Sequence, residues 1–150
     1  MGTNFSGRPD EMRVLDAYIK LVRAAESVMA RVYRSPHLGG LTISQFGVLE
    51  ALFHLGPLCQ RELGKKILRS SGNITMVIDN LEKGGLVERR RDRDDRRFVS
   101  VHLTGTGEKT IREIFPNHLE TLKKEFGVLS KNEQVELGRL CRQLGLGAAG

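Results

Sequence analysis

The residues Glu88-Arg-Arg-Arg-Asp-Arg-Asp-Asp-Arg-Arg97 form the densest charge in this chain: six arginines among four acids. Guanidinium groups keep their charge at any physiological pH. They grip phosphate or carboxylate through two parallel N–H bonds. By default such a mixed run is a solvated loop; beside the right elements it is a contact for a polyanion. From Arg61 to Arg97 eleven basic residues stand against seven acids, so +4 of the net +6 sits in about a quarter of the 150 residues. This surplus favours nucleic acid as a partner.

Other reactive side chains are sparse. The two cysteines, Cys59 and Cys141, are too few for a disulfide framework or a cysteine-only zinc site. Cys59, followed by Arg61, sits at an expected helix start, where a thiol is activated, so a redox role is weighed against that of a small half-buried residue. His37, His54, His102 and His118 have no ligand spacing, and no metal or cofactor is expected. Thr104-Gly-Thr-Gly-Glu-Lys-Thr110 lacks the spacing of a phosphate loop, because Glu108 separates Gly107 from Lys109. It reads instead as a helix cap. No nucleophile–base pair is visible, so no catalytic residue and no enzyme is expected.

The elements that position the arginines follow from periodicity. Val14, Tyr18, Leu21, Ala25, Val28 and Val32 make a helical seam over 11–34, with Leu15, Val22 and Met29 beside it. Two stripes exceed what one packed side needs, which points to a second chain. Thr42-Ile-Ser-Gln45 is a capping box for a helix carrying Phe46, Leu49 and Phe53 to Gly56-Pro57. A short helix over 60–67 turns Leu63 and Ile67 inward. Ser70 and Ser71 are the expected caps of a third helix, about 70–84, with Ile74, Val77, Ile78 and Leu81 inward. Strands over 86–90 and 98–103 then flank the charged run as a hairpin tip. Thr104 caps a long helical region with Ile111, Phe115, Leu119, Leu122, Phe126 and Leu129 on its apolar side, and Pro116 should kink or break it. Ser130-Lys-Asn-Glu133 caps a last helix with Leu137, Leu140 and Leu144, and the tail from Gly145 should fray.

Three short helices and a hairpin with a basic tip make a winged helix-turn-helix: mainly α with a small two- or three-stranded antiparallel wing. The third helix can enter a major groove. Candidate DNA contacts are Ser70, Ser71, Gly72, Asn73, Thr75, Met76 and Asn80 there, with Arg61, Arg93, Arg96 and Arg97 around it. The organisation expected is a helix over 1–40 that packs in part on a second chain, a DNA-binding lobe over 41–104 and further helices over 105–150.

The run from Leu86 to Gly107 resembles the wing signature of the multiple-antibiotic-resistance regulator (MarR) family, with Asp92, Asp95, Arg96, Arg97, Leu103-Thr104 and Gly107 as its fixed points. Asp79-Asn-Leu-Glu-Lys-Gly-Gly-Leu-Val87 resembles the end of that family's recognition helix. The resemblance implies a homodimeric, ligand-responsive regulator, most simply a repressor, on a pseudo-palindromic double-stranded DNA site, with 1–40 and 105–150 as dimerisation helices in one intertwined whole. It implies that Asp95 braces Arg97 by an ion pair and that Arg97 enters the minor groove. It also implies a small aromatic or anionic effector, with Tyr18, Val22, Phe46 and Phe53 as candidate walls and Arg23 or His54 as anion partners. An aromatic content of 5% argues against a strongly stacking pocket. Cys59 departs from the Thr or Ser common at its position, and Arg93 replaces a frequent Pro.

No apolar run approaches the roughly 18 residues of a membrane span. The polar segment Met1–Asp10 does not read as a secretion signal. A cytoplasmic protein is therefore expected. The alternative function is a winged-helix adaptor that binds protein. The arginines paired with aspartates at the tip separate the two, since an adaptor has no need of them.

Overall fold

A computed structural model describes residues 4–34, 36–67 and 73–147. Ser70, Ser71 and Gly72 lie outside this set. The elements run α1 (Pro9–Val32), α2 (Ile43–Leu55), β1 (Leu58–Cys59), α3 (Gln60–Lys66), α4 (Ile74–Lys83), β2 (Val87–Arg91), β3 (Val99–Leu103), α5 (Gly105–Phe126) and α6 (Lys131–Leu146). This is the mainly helical, three-stranded antiparallel form of the expected fold.

Two compact units are present: the described residues of Met1–Ser35 with Thr121–Gly150, and Pro36–Glu120. In the first, Arg31 Nε lies 2.6 Å from Glu125 Oε2 and ties α1 to the last turn of α5. Val14, Tyr18 and Leu21 on α1 and Leu137, Leu140 and Leu144 on α6 are exposed in the single chain. The Ser130 capping box forms, with Glu133 N–H donating to Ser130 Oγ at 3.2 Å and Ser130 N–H to Glu133 Oε2 at 2.7 Å. α6 continues through Gly145 to Leu146, two residues further than expected.

In the second unit Thr42 and Gln45 close their capping box at 3.1 and 3.0 Å, and Gly56, at φ +79°, ends α2. Val48, Leu49, Leu63, Ile78, Leu81, Val87, Val101 and Ile111 are buried together, so helices α2 to α4 share one core with the sheet. The strand order is β1-β3-β2, all antiparallel. β1 is only two residues long. It pairs Leu58 with Val101 and Cys59 with Ser100, and so fastens the start of α3 to the wing.

Two expectations about α5 are corrected. Its buried side runs through Gly107, Ile111, Ile114 and His118, not through Leu119, which is exposed. Pro116 does not break it: the helix is continuous from Gly105 to Phe126. Proline costs one backbone bond, and the buried neighbours Ile114 and His118 hold the turns on either side.

Candidate nucleic-acid interface

α4 begins where Asn73 Oδ1 accepts the Met76 N–H at 3.4 Å. Asn73 is therefore the N-cap of α4, and the expected caps Ser70 and Ser71 lie outside the described residues. Asn is among the strongest capping types. Ile78 and Leu81 are buried, and Ile74 and Val77 are half-buried against the core. On the other side Asn73, Met76 and Asn80 make an exposed stripe at spacings of three and four, with Thr75 beside them. Met76 is 59% exposed. Thr75 Oγ1 accepts from Gln60 Nε2 at 2.5 Å, linking α4 to the first turn of α3, where Arg61 is exposed.

β2 and β3 pair from Val87–Leu103 to Arg91–Val99. The tip is folded by Asp92, whose Oδ1 accepts the N–H groups of Asp94 at 2.7 Å and Asp95 at 3.1 Å. An aspartate that bonds the backbone ahead of it is a local turn device. Asp95 then holds Arg97. Oδ1 accepts from Nε at 2.9 Å and from the backbone N–H at 3.1 Å, and Oδ2 accepts from Nη2 at 2.7 Å. The Arg97 side chain stays 89% exposed. The Arg97 guanidinium and its backbone N–H hold the Asp95 carboxyl below its usual range. In turn the carboxylate holds Arg97 above its own. Arg93 and Arg96 are exposed beside it. Arg90 is paired with Glu88, and Arg91 Nη1 donates to the Arg96 carbonyl at 3.1 Å.

Three features of this unit were not legible as site residues. Arg89 leaves the wing and reaches α4, with Nη2 2.7 Å from Asp79 Oδ1 and Nη1 2.9 Å from Glu82 Oε1. Phe98 is exposed next to the tip. Gly107 packs against the backbone at the base of the wing. A Cβ there would lie 1.9 Å from the Leu86 carbonyl oxygen. Thr104 seals the same corner: its Oγ1 donates to Gly85 O at 2.6 Å and accepts from Gly107 N–H at 3.0 Å.

The effector candidates divide between the two units. Tyr18 and Arg23 are exposed and Val22 is half-buried on α1. In the other unit Phe46 is 1% exposed, with its ring 4.7 Å from that of His118, and it offers no open face to a ligand. Phe53 and His54 belong to an aromatic row. His54 stands 5.1 Å from Phe53 and 4.8 Å from Phe115, and Arg112 lies 5.1 Å over the Phe53 ring. Cys59 is the half-buried N-cap of α3, and its N–H donates to Glu62 Oε2 at 2.8 Å. His37 Nε2 and His118 Nδ1 are 3.1 Å apart. Among the described residues no group of three His, Cys, Asp or Glu is placed to hold a metal. No helix among them is long and apolar enough to cross a membrane.

Comparison with known proteins agrees with this geometry. The MarR family pattern matches residues 41–99, from the cap of α2 to the start of β3. The HTH-type transcriptional regulator YkoM of Bacillus subtilis is 35% identical over 134 residues, which cover 89% of this chain and 87% of that one. The HTH-type transcriptional regulator MhqR of the same organism is 34% identical, over 89% and 92% of the two chains. Among solved structures, BpsR of Bordetella bronchiseptica aligns with a TM-score of 0.75 at 28% identity, over 86% of this chain and 98% of that one. The DNA binding of BpsR is regulated by 6-hydroxynicotinic acid.

Proposed function

The chain belongs to the MarR family of DNA-binding transcriptional regulators, and on that premise we propose that it works as a homodimeric, ligand-responsive repressor. In this reading α4 lies in the major groove and the wing in the minor groove of each half of a pseudo-palindromic site. Asn73, Thr75, Met76 and Asn80 face the bases, and Arg61, Arg93 and Arg96 face the backbone. Ser70, Ser71 and Gly72, outside the described residues, stay candidate DNA contacts from the sequence. The protein is cytoplasmic, with its DNA.

The observation that carries the reading is the braced Arg97. An exposed arginine held in place by a carboxylate loses little side-chain entropy on entering a groove. The narrow minor groove attracts such a cation. The dimer rests on the apolar residues that α1 and α6 leave exposed in the single chain. For the effector, the aromatic row of Phe53, His54 and Phe115 with the Arg112 cation suits a small aromatic acid. Support also comes from BpsR, which responds to such an acid. A ligand releases DNA by favouring one dimer geometry over another.

The test is binding to duplexes from the intergenic DNA beside the protein's own gene. With roughly 6–10 phosphates contacted per dimer, affinity should fall on the order of 10³-fold or more between 50 and 200 mM salt. A flat salt response would overturn the DNA reading and favour the protein-binding adaptor.

A further inference from the structure

Arg89 is the third residue of β2, yet its side chain belongs to α4. One guanidinium bridges Asp79 Oδ1 at 2.7 Å and Glu82 Oε1 at 2.9 Å, and the Arg89 backbone N–H donates to Glu82 Oε2 at 3.0 Å. Asp79 and Glu82 are three residues apart, on one side of the helix. The Arg89 side chain is 24% exposed, against 89% for Arg97. Burial alone would pull the Arg89 pKa down, but hydrogen bonds and charge from Asp79 and Glu82 hold it above the ordinary arginine value.

We propose that Arg89 is a positioning residue that sets the wing against the recognition helix, so that Arg97 and α4 reach one DNA site together. The inference rests on the DNA-binding reading. The chain between α4 and β2 is only the turn Gly84-Gly85-Leu86, with Gly85 at φ +73°. The clamp lies just beyond that turn, where a small rotation has the longest lever. From Arg89 to Asp94 the chain runs two residues along β2 and three into the folded tip, a reach of at most roughly 16 Å. A slack of about 10° at the base therefore moves the tip by up to roughly 3 Å, half the width of the minor groove. Without the clamp Arg97 would often miss the groove while α4 remained seated. Arg89 thus acts through Arg97, with its own N–H groups committed to carboxylates rather than phosphates.

The experiment uses the full-length protein on a duplex from its own intergenic region, at 50 mM salt so that weakened variants remain measurable. Arg89→Met is expected to lose about tenfold in affinity in the wild-type background and under about twofold in the Arg97→Ala background, as coupled residues do. Arg89→Lys, which can still pair with one carboxylate, should recover part of the loss. A second approach leaves Arg89 in place: Asp79→Asn combined with Glu82→Gln. This pair removes two negative charges from the helix, so charge alone predicts tighter binding, whereas the clamp predicts weaker binding. Circular dichroism checks that each variant is folded, and the second approach decides if Arg89→Met is not. Equal losses in both Arg97 backgrounds, or tighter binding by the Asp79/Glu82 pair, would overturn the proposal. Wild-type protein that binds no duplex in a salt-sensitive way would overturn the DNA reading itself, and this inference with it.

Discussion

Asp95 holds Arg97 through both carboxylate oxygens, at 2.9 Å to Nε and 2.7 Å to Nη2, while the guanidinium remains open to solvent. Arg97→Ala should therefore cost about 1–3 kcal/mol of DNA binding, roughly 5- to 150-fold, and leave the fold intact. Asp95→Ala should weaken binding roughly 2- to 12-fold, the entropy of ordering one loose side chain. It does so although it removes a negative charge. Titration of both variants at one fixed salt concentration checks this, and tighter binding by Asp95→Ala would leave the wing as a plain cationic loop. Because Arg97 depresses the Asp95 pKa, the brace is charged above the ordinary carboxylate range and is lost only as pH falls below it.

At the base of the wing Gly107 leaves no room for a methyl group. The neighbours are the Leu86 carbonyl oxygen at 1.9 Å and its carbon at 2.8 Å, both backbone. Gly107→Ala should destabilise the protein by on the order of 3 kcal/mol, the upper part of the overpacking range. Gly105→Ala, two residues earlier and with nothing within 4 Å, is the control and should be close to neutral. Urea midpoints measured side by side would settle it, and equal midpoints would contradict the close packing.

Assembly is read by light scattering at micromolar concentration, where twice the chain mass is expected. Obligate dimers commonly bury more than ~2,000 Å². The exposed Leu140 and Leu144 on α6 are the residues to change. Leu140→Glu with Leu144→Glu should yield monomer and lose the operator affinity that depends on two half-sites. Wild-type protein that stays a folded monomer would remove the dimer from the proposed function.

Salicylate-like aromatic acids should raise the melting temperature and weaken DNA binding. A ligand present at 100 times its Kd adds about 2.7 kcal/mol of stability. Arg112→Ala, which takes the cation from above Phe53, should abolish both effects while leaving DNA binding without ligand unchanged. If neither the melting temperature nor the affinity responds to such acids, the aromatic effector is withdrawn.

What could be read in advance was what is local. The capping boxes Thr42–Gln45 and Ser130–Glu133 span three residues, so a sequence window contains both partners. The Gly84-Gly85 stop and the alternating strand Val99–Leu103 are local in the same sense. The Asn73 cap was hidden because Ser70 and Ser71 satisfy the same rule. β1 was hidden because two residues carry no period, and its partner Val101 is far along the chain. The Arg89 clamp was hidden because one arginine in a charged run looks like the next. Only the turn after α4 decides which of them faces Asp79 and Glu82. His37 and His118, in contact at 3.1 Å, lie 81 residues apart, and nothing in either neighbourhood points to the other.

That histidine pair sets the last prediction, the dependence of stability on pH. Burial, and then the charge of His37, hold His118 below the ordinary histidine value. Its ring is 5% exposed and stacked at 5.3 Å on His37. The folded state therefore binds fewer protons than the unfolded state once pH falls to about 6.5. Stability is complete above that value and declines as pH drops toward the folded pKa, by up to 1.36 kcal/mol per pH unit for one group. His102 is also depressed, by burial and by Arg90, and contributes with the same sign. Urea unfolding between about pH 7.5 and about pH 5.5 lies above the ordinary carboxylate range; Glu50, whose carboxyl is held above its usual value by burial, acts there with the opposite sign, so the histidine variants carry the assignment. His118→Gln should lower stability at neutral pH, because it removes a packed ring, and should flatten the profile. The further change His102→Gln should flatten it again by a smaller amount, since that ring is less buried. A wild-type slope that persists unchanged in His118→Gln would assign the acid sensitivity to other groups and leave His118 as a packing residue alone.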